Sequence, residues 1–260
     1  MELSKRLTDF WRYLSNSFHS IFVPMEPFKF KQFTVHQDKS AMKIGTDGVL
    51  LGAWTSLEHH PESILDIGAG TGVIALQMAQ RSSAELIDAI ELDESAHEQC
   101  VENFEASLWA DRLFCYHAGL DEFVDEMDEK YDLIVSNPPF YEEQVSSGDA
   151  SRDTARQNRS LPFNELLEGV AQLLNNDGFF SVIIPFKAES GFVEMASGYG
   201  LFPVRITRVR GNLSSEIKRS MMQFGFVQVN PTEDELVIEK ARHEYTQAYI
   251  ELTKDFYLKM

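Results

Sequence analysis

Residues 63–72 read SILDIGAGTG, from Ser63 to Gly72. A short apolar run carries one acid, Asp66, and gives way to three glycines at alternate positions, Gly68, Gly70 and Gly72. Glycine reaches positive φ at no steric cost and lets a ligand approach the backbone closely. A helical pattern follows over 72–81. The spacing is GxGxG and not the GxGxxG of a dinucleotide site, where a pyrophosphate rests on the helix N-terminus. Asp66 stands just before the turn, and a carboxylate there suits a cation or a zwitterion better than a phosphate.

Downstream, the run IDAIELD places Glu91 at the end of a second apolar strand, 19 residues past Gly72. That is close to the ~20-residue spacing at which an acid meets a ribose hydroxyl in nucleotide-binding α/β folds. From Ser63 onward the chain alternates. Strands are predicted at 63–67, 86–91, 112–116, 131–136 and 179–185. Helices fall between them, near 72–81, 94–107, 120–127 and 162–174, and Asn176-Asp177-Gly178 reads as a turn before the fifth strand. Such alternation makes a parallel sheet with helices on both faces. Residues 202–210 and 220–229 are β-rich and joined by a polar loop, which reads as an antiparallel hairpin. Residues 243–258 read as a final helix.

The set of strand, Asp66, glycine turn, helix, strand and Glu91 resembles the S-adenosylmethionine site of the seven-stranded Rossmann-like methyltransferases, over about residues 45–230. The resemblance implies an α/β, three-layer fold with a mostly parallel sheet and the antiparallel C-terminal hairpin. It also implies S-adenosylmethionine as cofactor, held by Gly68, Gly70 and Gly72, with Asp66, Glu91 and Leu92 beside them. The fourth strand runs into Asn137-Pro138-Pro139-Phe140. Two prolines forbid helix and ladder alike. In an open α/β sheet this tip faces the same crevice as the glycine turn. The tetrapeptide resembles the catalytic motif of methyltransferases acting on planar amino nitrogens, adenine N6 or a glutamine amide. By that resemblance Asn137 and the carbonyl of Pro138 accept the N–H groups, Pro139 stiffens the loop, and Phe140 offers a stacking face. Asn137 then also borders the cofactor.

Three further segments extend the likeness. They are KFKQFTVHQDKSAMKIGTDGVLLGAW before the glycine turn, SRDTARQNRS at 151–160, and YTQAYIELTKDFYL near the C-terminus. All resemble the bacterial tRNA-valine adenine-N6 methyltransferases, which modify adenine 37 of the anticodon loop. The likeness runs from about residue 27 onward, which implies one methyltransferase domain over 27–260 after a helical extension, 1–26. Relatives often carry Tyr where Phe140 stands. Gly119 occupies a position where many carry an Asp that meets the cofactor's adenine amine, a contact open here to Asp121 or to the backbone of Leu120. Thr46 and Asp47 either touch the methionine end of the cofactor or cap a helix through Leu50, Leu51 and Trp54. Another RNA adenine, a glutamine amide, or a non-catalytic RNA-binding module are the competing functions.

The net charge of −18 over 260 residues argues against a large nucleic-acid footprint. Three basic groups stand out: Lys29, Lys31, Lys39 and Lys43; Arg152, Arg156 and Arg159; and Arg205, Arg208, Arg210, Lys218 and Arg219. Each is either a solvated face or an RNA contact; Arg152, Arg156, Arg208, Arg210, Lys218 and Arg219 are the substrate-binding candidates. Cys100 and Cys115 have no metal-ligand spacing, which predicts no metal and a reducing compartment. No apolar run approaches the ~18 residues of a spanning helix. The expectation is a cytoplasmic monomer. Apolar residues at helical spacing in 1–26 predict a helix that packs on its own domain or faces a partner or a membrane.

Overall fold

The computed structural model describes residues 26–139 and 161–260. The N-terminal extension up to residue 25, Phe140, Arg152, Arg156 and Arg159 lie outside the described residues.

A small hairpin, β1 (Phe28–Lys29) and β2 (Thr34–Val35), precedes α1 (Thr46–Trp54). The core then runs β3 (Ser63–Ile67), α2 (Val73–Arg81), β4 (Leu86–Glu91), α3 (Glu94–Glu105), β5 (Leu113–His117), α4 (Leu120–Glu126) and β6 (Tyr131–Ser136). It continues with α5 (Phe163–Leu173), β7 (Leu174–Pro185), a 3-10 turn (Phe186–Ala188) and α6 (Glu189–Gly198). The end comprises β8 (Phe202–Asn212), β9 (Ile217–Gly225), β10 (Thr232–Ala241), β11 (Glu244–Tyr245) and α7 (Gln247–Thr253).

Apart from the β1–β2 hairpin, the described strands form one sheet in the order β11-β10-β8-β9-β7-β6-β3-β4-β5. β3 to β7 are mutually parallel, and β9 inserts antiparallel between β7 and β8. The seven strands from β5 to β8 are those expected. The sheet is nine-stranded rather than seven-stranded, because β10 adds parallel to β8 and β11 pairs with β10. No strand is predicted over TEDELVIEKA, where four acids interrupt the apolar pattern, yet Glu233 and Glu235 pair there with arginines of β8. The final helix is accordingly shorter than expected, 247–253. The turn expected at 176–178 is strand, since β7 starts at Leu174 and runs through it. Gly178 fits there because a Cβ would meet the carbonyl of Asp132 at 2.9 Å.

Central strands are apolar on both faces, as burial between two helical layers requires. Ile64 joins one cluster with α1, α2 and α3 residues such as Leu51, Leu76 and Phe104. Leu65 and Ile67 point to the other face, into a cluster with Leu120, Leu166 and Phe192 of α4, α5 and α6. Gly52 brings α1 close to α2, since a Cβ there would come within 2.2 Å of the Gln77 side chain. At the amino ends of the strands Asp132 clamps the register. Its Oδ2 accepts from the amides of Glu62 (2.9 Å) and Ser63 (3.1 Å), and its Oδ1 accepts from Asn175 (2.8 Å). Burial pushes this carboxyl up, but the bonds from Asn175, Glu62 and Ser63 outweigh it and hold the group below the usual aspartate range. At the other end, Ser136 Oγ donates to the carbonyl of Ile67 at 2.9 Å and ties the tip of β6 to that of β3.

Candidate active site

The glycine turn leaves β3 and enters α2. Gly68, Gly70 and Gly72 have φ of +74°, +57° and +78°, a region closed to most side chains. Gly72 is also packed, because a Cβ would lie 2.5 Å from the Phe104 ring and 2.8 Å from Cys100 Sγ. Gly68 and Gly70 differ: among the described residues nothing stands within 4 Å of either added Cβ, and both border a cleft of about 1210 Å³. Glu91, at the tip of β4, fixes the turn. Its Oε2 accepts from the Gly70 amide and its Oε1 from the Asp93 amide, both at 2.8 Å. Each oxygen keeps a lone-pair direction for a further donor.

Asn137, Pro138 and Pro139 line the same cleft from the tip of β6. Gly48 of α1 packs beside them, with an added Cβ 3.8 Å from Asn137 Nδ2. Leu92, Leu120 and Asp121 also line the cleft, as expected. Asp121 has a specific relation to Gly119, for a Cβ at Gly119 would sit 2.7 Å from Asp121 Oδ1. The Asp121 carboxylate therefore fills the space that a side chain at 119 would enter. Sequence reasoning missed Ser40 to Gly45 and three residues of α5, Glu165, Glu168 and Gln172, which also form walls. Ser40 to Gly45 fall within the family-like segment before the glycine turn, which gave them no site role, and no motif marks the α5 residues, which only the folding of α5 against α4 brings in. With Glu91, Asp93, Glu94, Asp121 and Asp125, the described lining carries seven carboxylates and one ammonium, Lys43. Such a wall favours a cationic ligand.

Four expectations change. Thr46 does not cap α1; Gly45 is the N-cap, without a side-chain bond. Asp47 forms an ion pair with Arg219 at 2.7 Å, and the cleft is lined there by Gly45 and Gly48 instead of Thr46 and Asp47. Asp66 is fully buried and is not on the cleft wall. Its Oδ2 accepts from the Ala75 amide (3.1 Å), which braces α2 against β3, while Oδ1 has no hydrogen-bond partner among the described residues. The basic run 205–219 is no loop but the facing strands β8 and β9, with only 213–216 between them. Two more of its arginines are held by the protein's own acids, Arg208 by Glu189 and Glu233 and Arg210 by Glu235, while Arg205 lies over the Trp54 ring, 4.4 Å from its centroid. Lys218 lies 3.7 Å from Glu216. In the first basic group, Lys39 bridges Glu98 and Glu102, Lys31 donates to the carbonyls of Lys254 and Met260, and Lys43 to those of Gln37 and Ser40.

Among the described residues no cluster of His, Cys, Asp or Glu could hold a metal ion, and no helix is long and apolar enough to cross a membrane.

Residues 44–184 match the family model of the methyltransferase small domain. The chain is 59% identical over 237 residues to the tRNA1(Val) (adenine(37)-N6)-methyltransferase of Christiangramia forsetii, covering 90% of this chain and 99% of that one. It is 60% identical to the enzyme of the same name from Flavobacterium johnsoniae (90% and 100% covered) and 46% identical to that of Bacteroides fragilis (90% and 98%). Among solved structures, a predicted O-methyltransferase from Agrobacterium tumefaciens shares the fold with a TM-score of 0.62 at 16% identity, over 81% of this chain and 96% of that one. P. horikoshii TYW2 in complex with MeSAdo superposes with a TM-score of 0.53 at 13% identity, over 76% and 69%.

Burial pushes the Asp66 carboxyl up to about 7; the Ala75 amide opposes this and the charge of Glu91 adds to it. In the unfolded chain the group ionises near the ordinary aspartate pKa of ~3.9. Stability is therefore greatest below that value and falls as pH rises toward 7, because only the unfolded state sheds the proton early. Asp66→Asn removes this titration, whatever its own packing cost. Urea unfolding of both proteins at pH 5 and pH 8 should show the wild type losing up to a few kcal/mol more than the variant, at ~1.4 kcal/mol per pKa unit. Equal losses would mean that Asp66 is ionised in the fold at both pH values.

Proposed function

Because the chain belongs to the methyltransferase small-domain family, and within it to the tRNA1(Val) (adenine(37)-N6)-methyltransferases, we propose that it methylates N6 of adenine 37 in the anticodon loop of a valine tRNA. The donor in this reading is S-adenosylmethionine and the compartment the cytoplasm. The observation that carries it is the position of Asn137, at the tip of β6, on one cleft with the glycine turn and fastened to β3 through Ser136.

The chain's residues fit such a donor. Gly68 and Gly70 leave backbone open toward the cleft, Glu91 presents a carboxylate braced by two amides, and the acidic wall matches a cationic ligand. Glu91 would take the ribose hydroxyls, and Asp121 with Leu120 the adenine edge. When bound, the donor supplies an electrophilic methyl group on a sulfonium sulfur. The protein's own task is to prepare the acceptor nitrogen. The lone pair of an exocyclic amine is delocalised into its ring. Asn137 Oδ1 and the Pro138 carbonyl each accept one N–H, which draws the nitrogen toward tetrahedral geometry and frees its lone pair. The same two acceptors stabilise positive charge as it develops there. Two consecutive prolines hold that carbonyl in place before the reaction. No general base is required before transfer, since the alkylated nitrogen is acidic and releases its proton afterwards.

Nucleoside mass spectrometry of valine tRNA from cells lacking the gene should show loss of N6-methyladenosine at position 37; an unchanged nucleoside profile contradicts the assignment. In the purified enzyme Asn137→Ala should lower turnover at least ~10²-fold, the scale for losing a preorganised hydrogen-bond partner, with donor affinity nearly unchanged. Wild-type turnover would remove Asn137 from the mechanism. Asp121→Ala should weaken donor binding by ~1.5–3 kcal/mol, the worth of a hydrogen bond to a charged group. Adding Gly119→Asp to that variant should restore most of the loss, because the two side chains compete for one space. Calorimetry showing no loss would leave Asp121 as a simple helix-start acid.

A further inference from the structure

Phe186 follows β7 directly, in the 3-10 turn Phe186–Ala188, and is 37% exposed. Single exposed apolar side chains are common and need no explanation. Two observations separate this one from that class. The first is its place. β7 neighbours β6 with Ser136 opposite Val182, so the continuing chains set Asn137 beside Ile183 and Phe186 three residues further along. At ~3.3 Å per residue and ~4.8 Å between strands, their Cα atoms are roughly 11 Å apart. That is about three stacked bases at ~3.4 Å each. Among the described residues the other exposed aromatics of comparable size, Phe114 and Tyr116, lie on the outermost strand β5.

The second observation is that the ring is held. Pro185 precedes it, and the Arg208 guanidinium sits 5.9 Å from its centroid. Arg208 is itself fixed: its Nε donates to Glu189 at 3.0 and 3.1 Å, its Nη2 to Glu189 at 2.6 Å, and its Nη1 to Glu233 at 2.8 Å. Ser220 Oγ donates to Glu189 from β9. Arg208 thus acts as a bracket behind the ring and not as a phosphate ligand. An apolar surface that only had to exist would not need such a bracket. A flat ring kept still beside the acceptor site suits another flat ring.

We propose that Phe186 is a stacking platform for an unpaired nucleobase of the substrate RNA, one lying within about three nucleotides of the methylated adenine. The inference rests on the RNA-methylating reading above. Its energy comes from base–aromatic contact and makes little demand on cations, which suits a chain in which Arg208 and Arg210 of β8 are engaged by carboxylates and Arg205 is laid over the Trp54 ring.

The test is steady-state methylation of valine tRNA by the wild type, Phe186→Ala, Phe186→Leu and Phe186→Trp. Loss of one stacked base should raise KM for RNA about tenfold in Phe186→Ala and Phe186→Leu, with kcat and donor affinity within about twofold of wild type. Phe186→Trp should restore KM. In anticodon-loop RNAs carrying one abasic sugar near the target, one position should abolish the difference between wild type and Phe186→Ala. A Phe186→Leu enzyme that matches the wild type, or abasic RNAs that all preserve the difference, would reduce Phe186 to ordinary packing and overturn the inference. If the wild type methylates no RNA adenine, the functional reading fails, and this inference with it. If the wild type methylates RNA and Phe186→Ala is unimpaired, only the inference fails.

Discussion

The site depends on one constraint: a backbone turn that no ordinary side chain can enter, held in shape by the carboxylate of the neighbouring strand. Three glycines at positive φ turn the chain from β3 into α2. Glu91 grips that turn at Gly70 and its own loop at Asp93. A carboxylate with two amide bonds at 2.8 Å is a stiff object. It sets the floor of the cleft before any ligand arrives, and a ligand's ribose would meet donors and acceptors that are already placed. The parallel register then does the rest. β6 lies beside β3, Ser136 ties the two tips, and Asn137 is delivered to the same cleft.

Charge is distributed with equal economy. The cleft is walled by carboxylates, while Arg208, Arg210 and Arg219 of β8 and β9 are bound to Glu189, Glu233, Glu235 and Asp47. On the proposed reading, a cationic donor would be drawn inward and a polyanionic substrate would approach by the rim. Beyond the carboxyl ends of β6 and β7 stand the Asn137 tip, on the cleft, and the braced ring of Phe186. Recognition by stacking and by acceptors suits a flipped or looped-out base, at an unstacking cost of a few kcal/mol.

Much of this was legible in the sequence for a physical reason. Strands buried on both faces are continuous apolar runs, and glycines at alternate positions have few uses, so β3 to β6 fell where expected to within a residue. Asn137-Pro138-Pro139 could be placed because prolines end a strand. What was not legible depends on partners far away in sequence. β10 shows no clear strand pattern, and its place is fixed by ion pairs from Arg208 to Glu233 and from Arg210 to Glu235 across the β8–β10 edge. The basic run 205–219 looked like an RNA grip because its acids lie on other elements. Asp66 looked like a ligand group, since sequence gives its position on a strand but not which face is covered; it proves to be fully buried beneath the turn. The relation of Asp121 to Gly119 is a matter of side-chain space, which spacing alone cannot supply.

The central claim is that the Glu91-braced turn is the donor's seat. Calorimetric titration of S-adenosylmethionine into the wild type and into Glu91→Ala, with thermal melts to confirm that both are folded, tests it most directly. Loss of a charged hydrogen bond should weaken binding by ~1.5–3 kcal/mol. Equal affinity in two folded proteins would mean that Glu91 only shapes a turn, and that the donor is held elsewhere in the cleft.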